Sequence, residues 1–175
     1  MPIHLKELDV VQEVKGAHSA LIAACNMCAG ASFAMGENKP FLEFFKSGFK
    51  SPPLERYIGR LHSQLLEHGV KSSKFQGGII QQFFLCLWTS RQRAKLQENA
   101  KQYDAVIVLG CESALETVRE TLQAMDCKVV KGMEVAGIMN TKTKFHLPLD
   151  ISFEYSKVIP MCDHHCAQFS HLQER

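Results

Sequence analysis

The fold is decided by the stretch Asp104-Ala-Val-Ile-Val-Leu-Gly110, which is followed directly by Cys111. An apolar run bounded by an aspartate and a glycine is typical of a strand buried on both faces of a parallel sheet. The segment from Ser113 to about Met125 is expected to form a helix, because its apolar residues fall on one face. These residues are Ala114, Leu115, Val118 and Leu122. The pair predicts one strand–helix unit of an α/β protein.

The same alternation of strands and helices extends in both directions along the chain. Further strands are predicted at Ser19–Ala24, Ile79–Cys86, Cys127–Val130 and Phe145–Tyr155, the last with Pro148 at an edge or bulge. Further helices are predicted at Leu54–His68 and from Thr89 or Ser90 to Ala100. This order predicts an α/β fold, namely a three-layer sandwich with a mostly parallel sheet of four or five strands. We expect a single domain over residues 1–160 and a tail over residues 161–175.

Composition and charge exclude several classes of protein. The 175 residues are 46% hydrophobic and 22% charged, which is typical of a globular chain and excludes a largely disordered one. The net charge of +2 is small, so we expect no nucleic-acid partner. No apolar run approaches the roughly 18–20 residues of a membrane helix, and we expect no membrane partner. The first sixteen residues lack the apolar segment of a secretory signal, which predicts a cytoplasmic location.

Sulfur is the unusual feature of the composition. The seven cysteines are Cys25, Cys28, Cys86, Cys111, Cys127, Cys162 and Cys166. An odd number in a chain without a secretory signal favours reduced thiols, a metal site or redox chemistry over a disulfide framework.

Three of the predicted strands end in cysteine, at Cys25, Cys86 and Cys111, and Cys28 follows one helical turn after the first. The carboxyl ends of parallel strands lie along one edge of a sheet, where ligand sites form. We therefore expect these four thiols to converge and to bind an iron–sulfur cluster of the 4Fe–4S type, or zinc with the same ligands. The alternative is that the cysteines only fill the core of a small-ligand or protein-binding module. Cys127 begins a strand, at the opposite edge, and is assigned to the core.

A second cluster of metal-binding residue types lies near the C-terminus. The sequence Cys162-Asp-His-His-Cys166 provides Cys162, His164, His165 and Cys166 at spacings that are known from zinc sites. The alternative is an ordinary surface segment, since the residues that follow are mostly polar, and we favour that interpretation.

The segment 36–53 is rich in phenylalanine. Phe41, Phe44, Phe45 and Phe49 stand among glycine, proline and lysine residues. An exposed apolar patch of this kind marks an interface, which predicts a homo-oligomer or a complex with another protein. The alternative is that these rings cover the neighbouring helix of the same chain.

The cysteine motifs resemble those of a known family. Cys25-x-x-Cys28, a cysteine after the second predicted strand, and Asp104-Ala-Val-Ile-Val-Leu-Gly-Cys-Glu-Ser together resemble the cysteine-rich domain of the methylenetetrahydrofolate reductase C-terminal type. The likeness extends over about residues 18–145, and Gly132, Gly137 and Asn140-Thr141 are similar to the family's closing strand and threonine-containing loop. Cys111-Glu-Ser-Ala stands where the family has Cys-Gly-x-Gly, and the family's further ferredoxin-like cysteine block is absent.

The resemblance implies a role in anaerobic one-carbon or corrinoid-linked metabolism in the cytoplasm. It implies an accessory protein that transfers electrons or supports a catalytic protein partner. Whether the chain is itself an enzyme is left open by the sequence.

Overall fold

The computed structural model describes residues 3–43, 50–78, 82–147 and 150–161. In chain order the elements are β1 (Ile3–Glu7), α1 (Val10–Glu13), β2 (Ser19–Ala24), α2 (Cys28–Glu37), β3 (Leu42–Glu43), α3 (Pro52–Glu67), β4 (Lys71–Lys74), a 3-10 turn (Leu85–Leu87), α4 (Ser90–Ala100), β5 (Ala105–Leu109), α5 (Glu112–Leu122), β6 (Lys128–Lys131), β7 (Met133–His146) and β8 (Asp150–Pro160). No helix in these ranges is long and apolar enough to cross a membrane.

The parallel sheet has four strands in the order β4-β2-β5-β6. The central strands β2 and β5 are the apolar runs of the sequence, and every residue of β5 is buried. Their register places Ala20 beside Ala105 and Ala24 beside Leu109, so both strands end at the same level. The α/β class and the parallel sheet are confirmed, while the three-layer arrangement stays a prediction.

The order of these strands creates a switch point between β2 and β5. From β2 the chain moves outward to the edge strand β4, and it then returns to the other side of β2 to form β5. Crossovers that leave two adjacent strands in opposite directions open a crevice at their carboxyl ends, which is where ligands bind in open α/β sheets. Cys25 directly follows β2, and Cys111 follows β5 after the single residue Gly110.

A strand predicted at Ile79–Cys86 is wrong in the part that the structure describes. Residues 79–81 lie outside the described ranges, and Leu85–Leu87 forms a 3-10 turn. Leu85 is buried whereas Leu87 is 72% exposed, so the apolar run does not lie in a sheet. The neighbour of β2 is instead β4, whose sequence Lys-Ser-Ser-Lys carries no apolar signal because it forms an edge strand.

The structure also contains an antiparallel sheet that no sequence pattern predicted, with the strand order β1-β7-β8-β3. The predicted strand Phe145–Tyr155 is wrong as a single element, because these residues span the end of β7 and the start of β8, which pair from Gly137 beside Pro160 to His146 beside Asp150. Gly137 permits this pairing, since a Cβ atom there would collide with the carbonyl oxygen of Ile159. Pro148 lies outside the described residues.

The helices follow their predicted positions closely. α3 buries Leu54, Ile58, Leu61 and Leu65, as the spacing of apolar residues predicts. α5 buries the four apolar residues that predicted it. α4 is mostly exposed and begins with a capping box between Thr89 and Gln92.

A small second core joins α2 to the antiparallel sheet. It contains Ala31, Ala34, Phe41, Leu42, Phe83 and Met139. The ring of Phe41 stacks on that of Phe153 with centroids 5.5 Å apart and is 6% exposed, so Phe41 is not part of an exposed patch. Phe44, Phe45 and Phe49 lie outside the described residues, as do Cys162, His164, His165 and Cys166.

Candidate functional site

The switch point brings Cys25 and Cys111 together. The backbone N–H of Cys25 donates to the carbonyl oxygen of Leu109 at 2.8 Å, which ties the end of β2 to the end of β5. Cys111 is the residue before α5 and has extended backbone angles, φ −77° and ψ 175°. The two residues are 2% and 6% exposed, so both thiols lie inside the protein.

Cys28 joins this pair from the first residue of α2. Its thiol forms a hydrogen bond with the sulfur of Cys111, a contact between residues far apart in the sequence. The backbone N–H of Ile3, in β1, also donates to the sulfur of Cys28. Cys28 is half-buried, whereas Cys111 is buried.

Cys86 reaches the same edge through loop contacts and not through a strand. The N–H of Asn26 donates to the carbonyl oxygen of Gln82 at 2.7 Å. The thiol of Cys25 donates to the carbonyl oxygen of Phe83 at 3.2 Å. These two bonds hold the segment before Cys86 against the loop after β2.

A cavity of about 650 Å³ opens beside these thiols. It is lined by Cys25, Met27, Cys28, Ala31, Phe41, Phe84, Cys86, Thr141, Thr143, Ile151 and Phe153. Three of the four predicted ligands therefore share one cavity, and Cys111 is connected to it through its contact with Cys28. The opposite wall is formed by the hairpin of β7 and β8.

Backbone N–H groups surround the buried sulfur atoms. The N–H groups of Leu85, Cys28 and Met27 are directed at Cys25. Those of Ala114 and Ser113, in the first turn of α5, are directed at Cys111. Donors of this kind stabilise the thiolate form of a cysteine, as does the positive end of a helix.

The contact between Cys28 and Cys111 shifts the pKa values of the two thiols in opposite directions. The hydrogen bond from Cys28 lowers the pKa of Cys111 to about 5, and the N–H groups of Ala114 and Ser113 act in the same direction. The same hydrogen bond, together with burial, raises the pKa of Cys28. One proton is therefore shared by two sulfur atoms.

Burial dominates at the other two cysteines of the site. It raises the pKa of Cys25, although the surrounding N–H groups act in the opposite direction. It also raises the pKa of Cys86, and the negative charge of Cys111 adds to that effect. Both shifts favour the neutral thiol over the thiolate.

The side chains do not form a ready-made coordination sphere. Within residues 3–43, 50–78, 82–147 and 150–161, no three His, Cys, Asp or Glu side chains are grouped so that they could hold a metal ion. The donor chemistry fits a thiolate-bound metal, because the N–H donors and the helix start favour thiolates. Binding would require Cys25 to give up its hydrogen bond to Phe83 and lose its proton, as metal coordination by cysteine does in general.

Cys127 lies away from this site, at the other edge of the sheet. It directly precedes β6, whose first residue, Lys128, donates its N–H to the carbonyl oxygen of Asp104 at 2.9 Å. Burial raises the pKa of Cys127, and Asp104 and Asp126 act in the same direction. It packs against the main core.

The cysteine motifs give no indication of the residues that form the cavity wall opposite them. Thr141 and Thr143 stand two apart in β7, so both side chains point to the same face of the strand. That spacing was readable in the sequence, but the strand itself was not predicted there.

Comparison of the chain with models of known protein families, with curated proteins and with solved structures gave no match.

Proposed function

We propose that this chain is a metal-binding protein in which Cys25, Cys28, Cys86 and Cys111 hold an iron–sulfur cluster of the 4Fe–4S type. The observation that carries the proposal is the set of backbone N–H groups directed at buried cysteine sulfurs beside a shared cavity. Concave arrangements of backbone N–H groups are typical of iron–sulfur sites, because they offset the negative charge of the cluster and its thiolates.

The cavity supports the same proposal. Its apolar wall includes Phe41, Phe84 and Phe153. Burial and hydrogen bonds to sulfur are the properties by which proteins set the potential of such a cluster. The cluster would supply one-electron transfer, and the protein residues would hold it and tune it.

The proposed cellular role is based on the resemblance of the cysteine motifs to those of the methylenetetrahydrofolate reductase C-terminal type. We propose electron transfer to, or support of, a catalytic protein partner in anaerobic one-carbon or corrinoid-linked metabolism in the cytoplasm. A homo-oligomer remains part of the proposal, and the site described here needs no second copy to supply a cysteine.

Zinc is the second candidate, and one observation favours it. Tetrahedral zinc with Zn–S distances near 2.3 Å holds its sulfur ligands about 3.8 Å apart. The hydrogen-bonded sulfurs of Cys28 and Cys111 are already near neighbours. Zinc would then stabilise the junction of α2 and α5 or activate a thiol.

Purification without air, followed by iron, sulfide and zinc analysis, tests both candidates. An iron–sulfur cluster gives a brown protein with iron and sulfide in equal amounts, and zinc gives a colourless one. The Cys25→Ser, Cys86→Ser and Cys111→Ser variants should each lose the metal, because one absent ligand opens the site. Cys127→Ser is the matched control and should retain it, since Cys127 lies at the other edge of the sheet.

Deletion of residues 162–175 separates the C-terminal cluster from the main site. We expect metal content to be unchanged, because the four proposed ligands all precede this segment. A protein with no metal, in which all four cysteine variants behave alike, would refute the proposal and favour a ligand-binding or protein-binding module with packing cysteines.

A further inference from the structure

The contacts of the thiols differ from the pairing that the Cys-x-x-Cys spacing indicates. Cys25 and Cys28 are close in sequence, and such a spacing commonly marks a disulfide-forming pair. In the structure, however, the thiol of Cys25 is directed at the carbonyl oxygen of Phe83 at 3.2 Å. The thiol of Cys28 is directed at Cys111.

We propose that in the metal-free protein Cys28 and Cys111 form a reversible disulfide, which prevents the site from taking up metal. The disulfide rests on the packing of Cys28 against the buried core that contains Cys111 and on the contact between the two sulfur atoms. Only its effect on metal rests on the proposed function. The bond requires the sulfurs to approach from hydrogen-bonding contact to about 2.05 Å. Both residues lie at helix starts, Cys28 as the first residue of α2 and Cys111 directly before α5.

The cavity gives an oxidant access to one member of this pair. Cys28 lines the cavity, whereas Cys111 is 6% exposed. A low-molecular-weight disulfide therefore meets the sulfur of Cys28 first. The half-buried thiol of Cys28 attacks the small disulfide within the cavity, and the buried thiol of Cys111 then completes the reaction.

The reaction is a thiol–disulfide exchange in two steps. The sulfur of Cys28 attacks one sulfur of the small disulfide, its proton passes to Cys111 along their hydrogen bond, and one small thiolate leaves and takes a proton from water. The sulfur of Cys111 then attacks that of Cys28, its proton is lost to water, and the second small thiolate leaves and is protonated. The two protein sulfurs together lose two electrons, and the small disulfide gains them.

The bond removes two of the four proposed ligands at once. Metal coordination by cysteine requires thiolates, and neither sulfur of a disulfide is one. The oxidised protein therefore fails to take up metal until a thiol reductant restores both ligands.

The test uses the full chain, stripped of metal with a chelator and equilibrated with oxidised and reduced glutathione. Intact mass should fall by two hydrogen atoms, and digestion should link the peptide that carries Cys28 to the one that carries Cys111. Because Cys25 and Cys28 share one tryptic peptide, variants assign the bond. Cys25→Ser should retain the cross-link to the Cys111 peptide, and Cys28→Ser should lose it. Cys127→Ser is the matched control and should behave as the parent.

Zinc and iron uptake are then compared for the oxidised and the reduced protein. We expect the oxidised protein to lose nearly all metal uptake and a reductant to restore it. A Cys25–Cys28 or Cys86–Cys111 disulfide, or no intramolecular disulfide under oxidising conditions, overturns the inference. If the Cys28–Cys111 disulfide forms but the reduced protein binds no metal, the proposed function fails while the disulfide stands.

Discussion

Replacing Cys28 by alanine should make Cys111 a much weaker acid. The hydrogen bond from Cys28 is the largest cause of the lowered pKa of Cys111, which is about 5 against an ordinary value of 9.0. By the Henderson–Hasselbalch relation, a thiol with the lowered value is about 99% thiolate at pH 7, and one with the ordinary value about 1%. Alanine leaves only backbone N–H groups, those of Ala114, Ser113 and Cys111 itself, to stabilise the thiolate, so the pKa should move from about 5 towards 9.0.

The assay is the ultraviolet absorbance of thiolate during a pH titration of the reduced, metal-free protein, with circular dichroism to confirm that the fold persists. The parent should show one thiolate forming near pH 5, and Cys111→Ser should abolish that step. Cys127→Ser should leave it in place, because Cys127 lies at the other sheet edge. A step near pH 5 that survives unchanged in Cys28→Ala would refute the reasoning.

The same pair gives stability a pH dependence with a defined sign. Between pH 5 and pH 9 the folded pair holds one proton, whereas two ordinary thiols of the unfolded chain hold two. Stability rises with pH wherever the unfolded state binds more protons, so the free energy of unfolding should increase across this range. Above pH 9 the unfolded chain loses both protons while Cys28 retains its own, so the contribution should decline. It is also lost as the pH falls through 5.

Three further changes test how the framework positions the site. The Asp104 carboxylate accepts hydrogen bonds from the backbone N–H groups of residues 18 and 19 at 2.7 and 2.9 Å, so Asp104→Ala should lower the melting temperature more than the exposed control Asp126→Ala. Those bonds lower the pKa of Asp104, so its contribution should disappear as the pH falls through that lowered value, and a difference that persists in strong acid would contradict this. Gly137→Ala should destabilise the β7–β8 pairing in urea unfolding, whereas Gly59→Ala, on an open helix face, should stabilise by about 0.5–1 kcal/mol. Equal effects of the two glycine variants would show that the close approach at Gly137 is unimportant. Leu109→Ala removes a fully buried side chain beside the site and should lower the free energy of unfolding by about 2–5 kcal/mol in the same assay, and a smaller loss would show that the core there relaxes to fill the space.

The buried centre of the fold was predictable because burial leaves a strong pattern. β5 is a run of apolar residues with every member buried, and α5 places its apolar residues at helical spacing. β4 has no such pattern. It is an edge strand of sequence Lys-Ser-Ser-Lys, and its alternate residues are exposed to solvent. An apolar run can also predict a strand where none forms. Residues 85–87 form a 3-10 turn in which one leucine, Leu85, is buried.

The antiparallel hairpin was missed for a related reason. β7 is buried only towards its start, and its later half alternates threonine and lysine, which indicates an exposed segment. Its pairing with β8 is non-local information that a single window of sequence does not contain. The convergence of Cys25 and Cys111, by contrast, follows from a general rule about strand ends, so no detailed contact was needed to expect it.

The contact between Cys28 and Cys111 depends on both sheets, and this explains why no spacing rule reveals it. Cys28 is held from one side by β1, whose Ile3 N–H reaches its sulfur, and β1 pairs with β7 in the antiparallel sheet. Cys111 is held from the other side by the end of β5 in the parallel sheet. β7 also supplies the threonines of the cavity wall. A metal or a disulfide that joins these two sulfurs therefore links the parallel sheet to the antiparallel one. Its formation should change the stability of both sheets.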